Sequence, residues 1–191
     1  MKIFLLHGNS QTTTSWSGGT TTELFITPDG ATFADRNFDF RVSTAEVLAK
    51  TSEFSSLPGY NRKLMVLRGG IEIAHKDHHT KKLEAQEQDE FSGDWETTSV
   101  GQCIDFNLIC SSKASGKMKA HEMVKPDAVE VKSNDSFLFF YCVVGHMDVR
   151  VGAKNFILQS TDFLIIRDPR GVEIEITTLT NAYFVETKVN V

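Results

Sequence analysis

The sequence predicts an all-β protein. Three observations carry that expectation. Apolar residues recur with a period of two, glycine and proline turns punctuate the chain at short intervals, and 14 phenylalanines stand against 2 tryptophans and 3 tyrosines. A two-residue period puts alternate side chains on opposite faces of a half-buried strand. Phenylalanine favours strands and packs without a polar partner. Many short strands with regular turns point to a sandwich or barrel.

The elements follow in chain order. The run Met1 to Leu6 is apolar but ends at His7 and Gly8. A secretory signal needs an apolar stretch of roughly 7–15 residues, so a cytoplasmic location is expected. No segment approaches the ~18 apolar residues of a membrane helix, and no membrane partner is expected. Phe38, Phe40 and Val42 alternate with Asp39, Arg41 and Ser43. Ser43 to Lys50 contains good helix formers but continues that alternation, so it reads as strand. Ile104, Phe106 and Leu108 alternate with Asp105 and Asn107, and Val172, Ile174 and Ile176 with Glu173 and Glu175. Leu64 to Leu67, Phe137 to Val144 and Phe163 to Ile166 are continuously apolar and read as strands buried on both faces. Pro28-Asp29-Gly30, Pro58-Gly59, Gly69-Gly70, Asn134-Asp135 and Asp168 to Gly171 read as turns. Lys81 to Asp89 is polar nearly all round and is expected to be a solvated loop or a short exposed helix. Lys113 to Lys132, lysine-rich and interrupted by Pro126, is the expected connection between two strand-rich halves.

Composition excludes several classes. A hydrophobic fraction of 40% is too apolar for a disordered chain. Twenty Lys+Arg against 25 Asp+Glu give a net charge of −5, which argues against a nucleic-acid partner. The 191 residues fit one large domain or two small ones. Cys103, Cys110 and Cys142 form no C-x-x-C pair, and their odd number argues against a disulfide framework. They read as buried small hydrophobes.

Three segments concentrate polar groups on strand-like backgrounds. In Trp16 to Glu23 (W-S-G-G-T-T-T-E), paired glycines allow a tight bend or a close backbone approach. In Phe38 to Ser43, period two puts Asp39, Arg41 and Ser43 on one face. Asp105 and Asn107 likewise share a face. Such faces either meet solvent or line the mouth of a small barrel, where charged groups need a polar ligand or one another. Arg41 or Arg62 can hold a carboxylate in two-point contact. Glu23, Asp105 and Asn107 can accept from amide or amine donors. His75, His78 and His79 form H-x-x-H-H, a spacing open to metal ligation, but their lysine-rich surroundings read as a solvated turn. No phosphate-binding loop, nucleotide fingerprint or nucleophile elbow is present.

Taken in order, these segments resemble the HutD/Ves family. The resemblance rests on W-S-G-G-T-T-T-E-L at Trp16 to Leu24 and F-D-F-R-V-S-T-A-E-V at Phe38 to Val47. It continues through F-S-S-L-P-G-Y-N-R at Phe54 to Arg62, with L-M-V-L-R-G to Gly69. F-S-G-D at Phe91 to Asp94 and D-F-N-L-I at Asp105 to Ile109 complete it. It implies a bicupin, two small antiparallel β-barrel or jelly-roll domains packed together with very little helix. Residues 1–112 would form the N-terminal barrel that carries the motifs and 113–191 the C-terminal barrel, with strands exchangeable between them. Phe38, Phe40, Phe106 and Phe137 to Phe140 would be the packing faces between the barrels. The family is linked to histidine utilisation, has no established enzymatic activity, and has N-formylglutamate or a related breakdown product as its proposed ligand. Its members lack the metal-binding histidines of many cupins, so neither a metal nor a cofactor is expected. Ser17, Asn61 and the Cys110-Ser111-Ser112-Lys113 run depart from the family pattern. Those departures bear on ligand identity and not on the scaffold.

The function expected from this reading is non-catalytic binding of a small carboxylate metabolite, in a regulatory or sensing role. Arg41 and Arg62 would anchor the anion. Thr22, Ser43, Ser55 and Asn107 would supply hydrogen bonds, and Glu23 and Asp105 would orient them. No catalytic residue is assigned. The competing readings are a metal-dependent cupin enzyme using His75, His78 and His79, a lyase or hydrolase with Glu23 or Asp105 as general base, and a scaffold that assembles through phenylalanine-rich strands. A homodimer is compatible with any of them.

Overall fold

Most of the alternating segments are strands in the structure, a computed structural model that describes residues 1–191. Seventeen strands and one 3-10 turn at Gly8–Ser10 make up its regular structure. The chain divides into two compact units, residues 12–115 and residues 1–11 with 116–191. No helix is long and apolar enough to cross a membrane.

The unit of residues 12–115 is one curled sheet of eight strands. They are β2 (Thr12–Trp16), β3 (Gly19–Thr27), β4 (Phe40–Val47), β5 (Thr51–Glu53), β6 (Tyr60–His75), β7 (Thr80–Leu83), β8 (Gln88–Ser92) and β9 (Thr97–Ser111). The main order is β2-β3-β4-β9-β6-β7, with β5 on β9 and β8 on β6. The pairings are antiparallel. Two long strands let the sheet curl, because β6 pairs with β8 over its first half and with β7 over its second. The bend lies at a register shift between Val66 and Arg68, followed by Gly69 at φ +81°. A Cβ at Gly69 would come 2.4 Å from the Gln102 carbonyl oxygen, so only glycine fits. Gly69-Gly70 is therefore a bulge inside a strand and not the expected turn.

Val47, Leu64, Val66, Ile71, Ile73, Leu83, Phe91 and Cys103 form the core on the inner face of this sheet. Residues of the other face, Phe40, Val42, Met65, Phe106 and Leu108, are buried as well. Phe38 departs from expectation. It precedes β4 and packs with Ala31, Leu57, Tyr60 and Ile109 in a separate cluster. Its ring lies 4.5 Å from that of Tyr60, whose hydroxyl donates to the Phe38 carbonyl.

The other unit faces two sheets onto one core. The strands are β1 (Lys2–Leu6), β10 (Ser115–Met123), β11 (Ala128–Val131), β12 (Phe137–Val144), β13 (His146–Val151), β14 (Lys154–Gln159), β15 (Phe163–Arg167), β16 (Ile174–Thr178) and β17 (Ala182–Asn190). One sheet has the order β1-β15-β12-β17-β10 and the other β11-β16-β13-β14. Leu138, Phe140 and Cys142 of β12 enter the core with Val149, Leu158, Ile166, Ile176 and Phe184. Phe137 and Phe139, of opposite parity, are also buried, and Phe139 stacks on Phe163 at 5.3 Å. That two-sided burial is what a continuous apolar run encodes.

Residues 1–11 belong with 116–191, not with the segment that follows them. Lys2 to Leu6 pairs antiparallel with Phe163 to Arg167, which gives the short apolar run a backbone partner that β15 would otherwise lack on that side. Two polar segments are also strands and not connections. Thr80–Leu83 and Gln88–Ser92 are held by β6, with Leu83, Asp89 and Phe91 turned inward. Within Lys113 to Lys132, β10 buries Met118 and Met123 while Lys117 and Lys119 stay exposed. In both cases, single inward residues among charged ones sufficed for an edge strand.

Candidate functional site

A cavity of about 360 Å³ opens in the unit of residues 12–115. Register decides which residues reach it. On β4 and β9 the inward positions pair directly, Ser43 with Asn107, Ala45 with Asp105 and Val47 with Cys103. Arg62 of β6 pairs with Ile109 of β9 on the same face. Arg41, Ser43, Ser55, Arg62, Asp105 and Asn107 all line the cavity.

Two expected residues do not line it. Thr22 pairs with Thr44 on the opposite face of β3, and its hydroxyl meets that of Thr13 at 2.7 Å. Period two makes Thr21, not Thr22, the lining threonine. Glu23 is on the correct face but acts through Arg41, which donates from Nε to its Oε2 at 2.7 Å. The sequence reading missed the apolar wall of Trp16, Phe33 and Phe54. For Trp16 and Phe54 the signal was present in W-S-G-G and F-S-S-L, while Phe33 lies in no motif. A Cβ at Gly18 would lie 2.0 Å from the Trp16 ring, so the first glycine of the pair makes room for the indole.

The two arginines differ in how they are satisfied. Arg41 donates to Glu23 and, from a terminal nitrogen, to Ser43 Oγ at 3.0 Å. Its guanidinium lies 4.7 Å from the centre of the Phe33 ring. Arg62 is 8% exposed and donates only to the Ser55 backbone carbonyl, at 3.1 Å. Its Nε is buried without a hydrogen-bond partner. The rings of Phe54 and Phe91 flank it at 5.1 and 5.2 Å. Burial, relieved in part by Asp105 and reinforced by Arg41, lowers its pKa to about 10. It remains a cation at neutral pH.

Asp105 is 3% exposed. Asn107 Nδ2 donates to its Oδ1, and the Cys103 thiol lies 3.9 Å from Oδ2. Burial raises its pKa to about 7, against the opposing pull of Asn107 and Arg62. Burial and the neighbouring Asp105 push the Cys103 thiol up to about 12, so it is no nucleophile at neutral pH. With Arg41 neutralised by Glu23, the cavity carries the charge of Arg62 and a part-protonated Asp105.

The histidine segment is in part the solvated turn expected from its lysine-rich surroundings, since residues 76–79 form an exposed turn, but His75 departs from it. His75 ends β6 on the inner face and is 3% exposed. His75 Nε2 and His79 Nε2 lie 3.1 and 2.9 Å from Asp89 Oδ2 on β8. His78 stacks on Trp95 at 3.8 Å and takes no part. Phe91 stands between this cluster and Arg62, with its ring 4.4 Å from that of His75.

Known structures share the fold. A conserved protein of unknown function from Pseudomonas aeruginosa PAO1 superposes with a TM-score of 0.88 at 22% identity, over 100% of both chains. HutD from Pseudomonas fluorescens SBW25, in a formate condition, gives 0.74 at 22% identity over 99% of this chain and 98% of its own. A cupin 2 conserved barrel domain protein from Leptotrichia buccalis gives 0.59 at 13% identity over 100% and 98%. The architecture is thus the all-β cupin fold, although strand pairing closes neither unit into a continuous ring. No curated protein matches the sequence. The HutD family model matches residues 8–184, more than nine-tenths of the sequence, and the chain belongs to the HutD family.

Proposed function

We propose that this cupin-type protein, linked through its family to histidine utilisation, binds a small carboxylate in the cavity of residues 12–115 without transforming it. The observation that supports this reading is Arg62, a buried cation that lines the cavity, makes one backbone hydrogen bond and has no carboxylate in ion-pair contact. A carboxylate in the cavity gives this cation the charge-assisted partner that the protein itself does not supply. Trp16, Phe33 and Phe54 suit the aliphatic part of the ligand, and Asn107 and Ser43 its polar end. N-formylglutamate has these features: two carboxylates, an aliphatic stem and an amide.

Asp105 tunes the contact. Protonated, it donates a hydrogen bond to an incoming anion, and ionised, it repels one. Affinity for a carboxylate therefore falls as pH rises through about 7. Thermal-shift and calorimetric titrations with formate, glutamate, urocanate and N-formylglutamate test the reading. Stabilisation by at least one acid, lost in Arg62→Ala, is the expected result. No response to any of them would sink it.

A pKa near neutrality inside a cavity also favours a second reading, in which Asp105 is the general base of a lyase or hydrolase acting on a small acid. Turnover of a ring-opened imidazole derivative, abolished by Asp105→Asn, would establish that reading in place of simple binding.

A further inference from the structure

We propose that His75, His79 and Asp89 form a site for a divalent transition cation of the zinc type, separate from the arginine-lined cavity. Three elements bring the ligands together. His75 is the last residue of β6, His79 closes the turn that leads into β7, and Asp89 comes from β8. The turn is fixed by two backbone hydrogen bonds, His78 N–H to the His75 carbonyl at 3.0 Å and His75 N–H to the His79 carbonyl at 2.8 Å. The candidate ligand atoms all lie within 4.8 Å of one another.

The orientation of each group suits a cation. The Glu90 N–H donates to Asp89 Oδ1 at 3.0 Å, which leaves Oδ2 turned to both imidazoles. On the far side of His75, Nδ1 meets Thr97 Oγ1 at 2.8 Å, and the Thr97 hydroxyl donates to the Trp95 carbonyl at 3.2 Å. Thr97 has a single proton. Given to Trp95, it makes Thr97 the acceptor from His75 Nδ1–H. The lone pair of His75 Nε2 then faces a carboxylate oxygen 3.1 Å away, and a proton or a metal cation held by Nε2 satisfies both groups.

The two nitrogen–oxygen separations are close to what a metal requires, while the ligand atoms as a set, within 4.8 Å of one another, must also draw together. Zinc bonds of ~2.0–2.2 Å to imidazole nitrogen and carboxylate oxygen put tetrahedral ligands roughly 3.4 Å apart. The nitrogen–oxygen separations of 2.9 and 3.1 Å need to open by only a few tenths of an ångström. Two imidazoles and one carboxylate suit zinc, iron or nickel over magnesium or calcium. The His79 side chain is 40% exposed, so the open side of the trio faces solvent and leaves room for water as a fourth ligand. Lys81 Nζ lies 3.9 Å from Asp89 Oδ1, the oxygen that is not turned to the histidines.

The test uses the full chain, purified without an affinity tag and stripped with a chelator. Co²⁺ is titrated while its visible bands are recorded, and Zn²⁺ is added in competition. The expected result is one saturable ion per chain. His79→Ala and Asp89→Asn should each weaken it on the order of tenfold or more. His78→Ala, which removes only the stack on Trp95, should bind as the parent does. His79→Ala removes a part-exposed side chain, so it keeps the question answerable if Asp89→Asn fails to fold. No saturable Co²⁺ binding by the parent, or equal binding by His79→Ala, overturns the proposal and leaves the trio as a hydrogen-bonded pair of histidines on one aspartate. Binding of carboxylates at Arg62 is read separately, and neither result decides the other.

Discussion

Each unit holds a buried acid beside basic groups lining a cavity, yet the two are satisfied in opposite ways. In residues 12–115, Asp105 has no cation in ion-pair contact, burial raises its pKa to about 7, and Arg62 keeps an unpartnered nitrogen. In the unit of residues 1–11 and 116–191, a cavity of about 490 Å³ is lined by Lys117, Lys119, His121, Lys132, Glu186 and Lys188. There Glu186 accepts from His121 at 2.7 Å and pairs with Lys188 at 2.7 Å. Burial pushes the Glu186 carboxyl up, but those two partners outweigh it and hold it below the usual range. The His121 ring also stacks flat on Phe184 at 4.6 Å. A self-satisfied cluster stabilises its own unit. An unsatisfied one is a cost that a ligand can relieve, and this is why the arginine cavity, though smaller, is the better candidate site.

The contrast between the two units is greatest at Arg62. Arg62→Ala should cost on the order of 2–5 kcal/mol of carboxylate affinity in calorimetry. Arg62→Met should abolish binding as well, and should raise the melting temperature by removing an unsatisfied buried cation worth about 1–3 kcal/mol. A lower melting temperature for Arg62→Met would mean that the cation is structural.

The next effect is pH dependence, with opposite signs in the two units. The folded pKa of Asp105 lies above its ordinary value of 3.8. The folded chain therefore holds a proton that the unfolded chain releases, and stability falls as pH rises from about 4 through 7. Asp105→Asn should flatten that slope and the pH dependence of binding together. Glu186 is depressed below its ordinary value of 4.5. Its contribution is complete above that value and is lost as pH falls through the folded pKa. Glu186→Gln should lower stability at neutral pH by about 1–3 kcal/mol and remove that acid-side loss, as read by chemical denaturation at several pH values. The smallest expected effect is at Thr22, half-buried and outside the cavity lining. Thr22→Ala should leave affinity unchanged and stability within about 0.5 kcal/mol.

Much of the cavity was legible because a strand encodes its own faces. Arg41 and Ser43, or Asp105 and Asn107, must point the same way whatever lies across from them. Thr22 failed by one residue, and on a strand one residue is the whole difference between inside and outside. The histidine cluster failed for another reason. His75 sits among charged neighbours in sequence, but its partner Asp89 lies 14 residues further along, on a strand that only the pairing with β6 positions.

The sequence by itself determined the all-β class, the two-faced burial of its longest apolar runs and the order of the family motifs, because these follow from period, composition and local turn chemistry. Only the tertiary structure decided that β1 pairs with β15, that Gly69 is a bulge, that Glu23 neutralises Arg41, and that Arg62 is left without a carboxylate. Each of those depends on which strands lie side by side and in what register. That choice is made by long-range packing, which no local pattern contains.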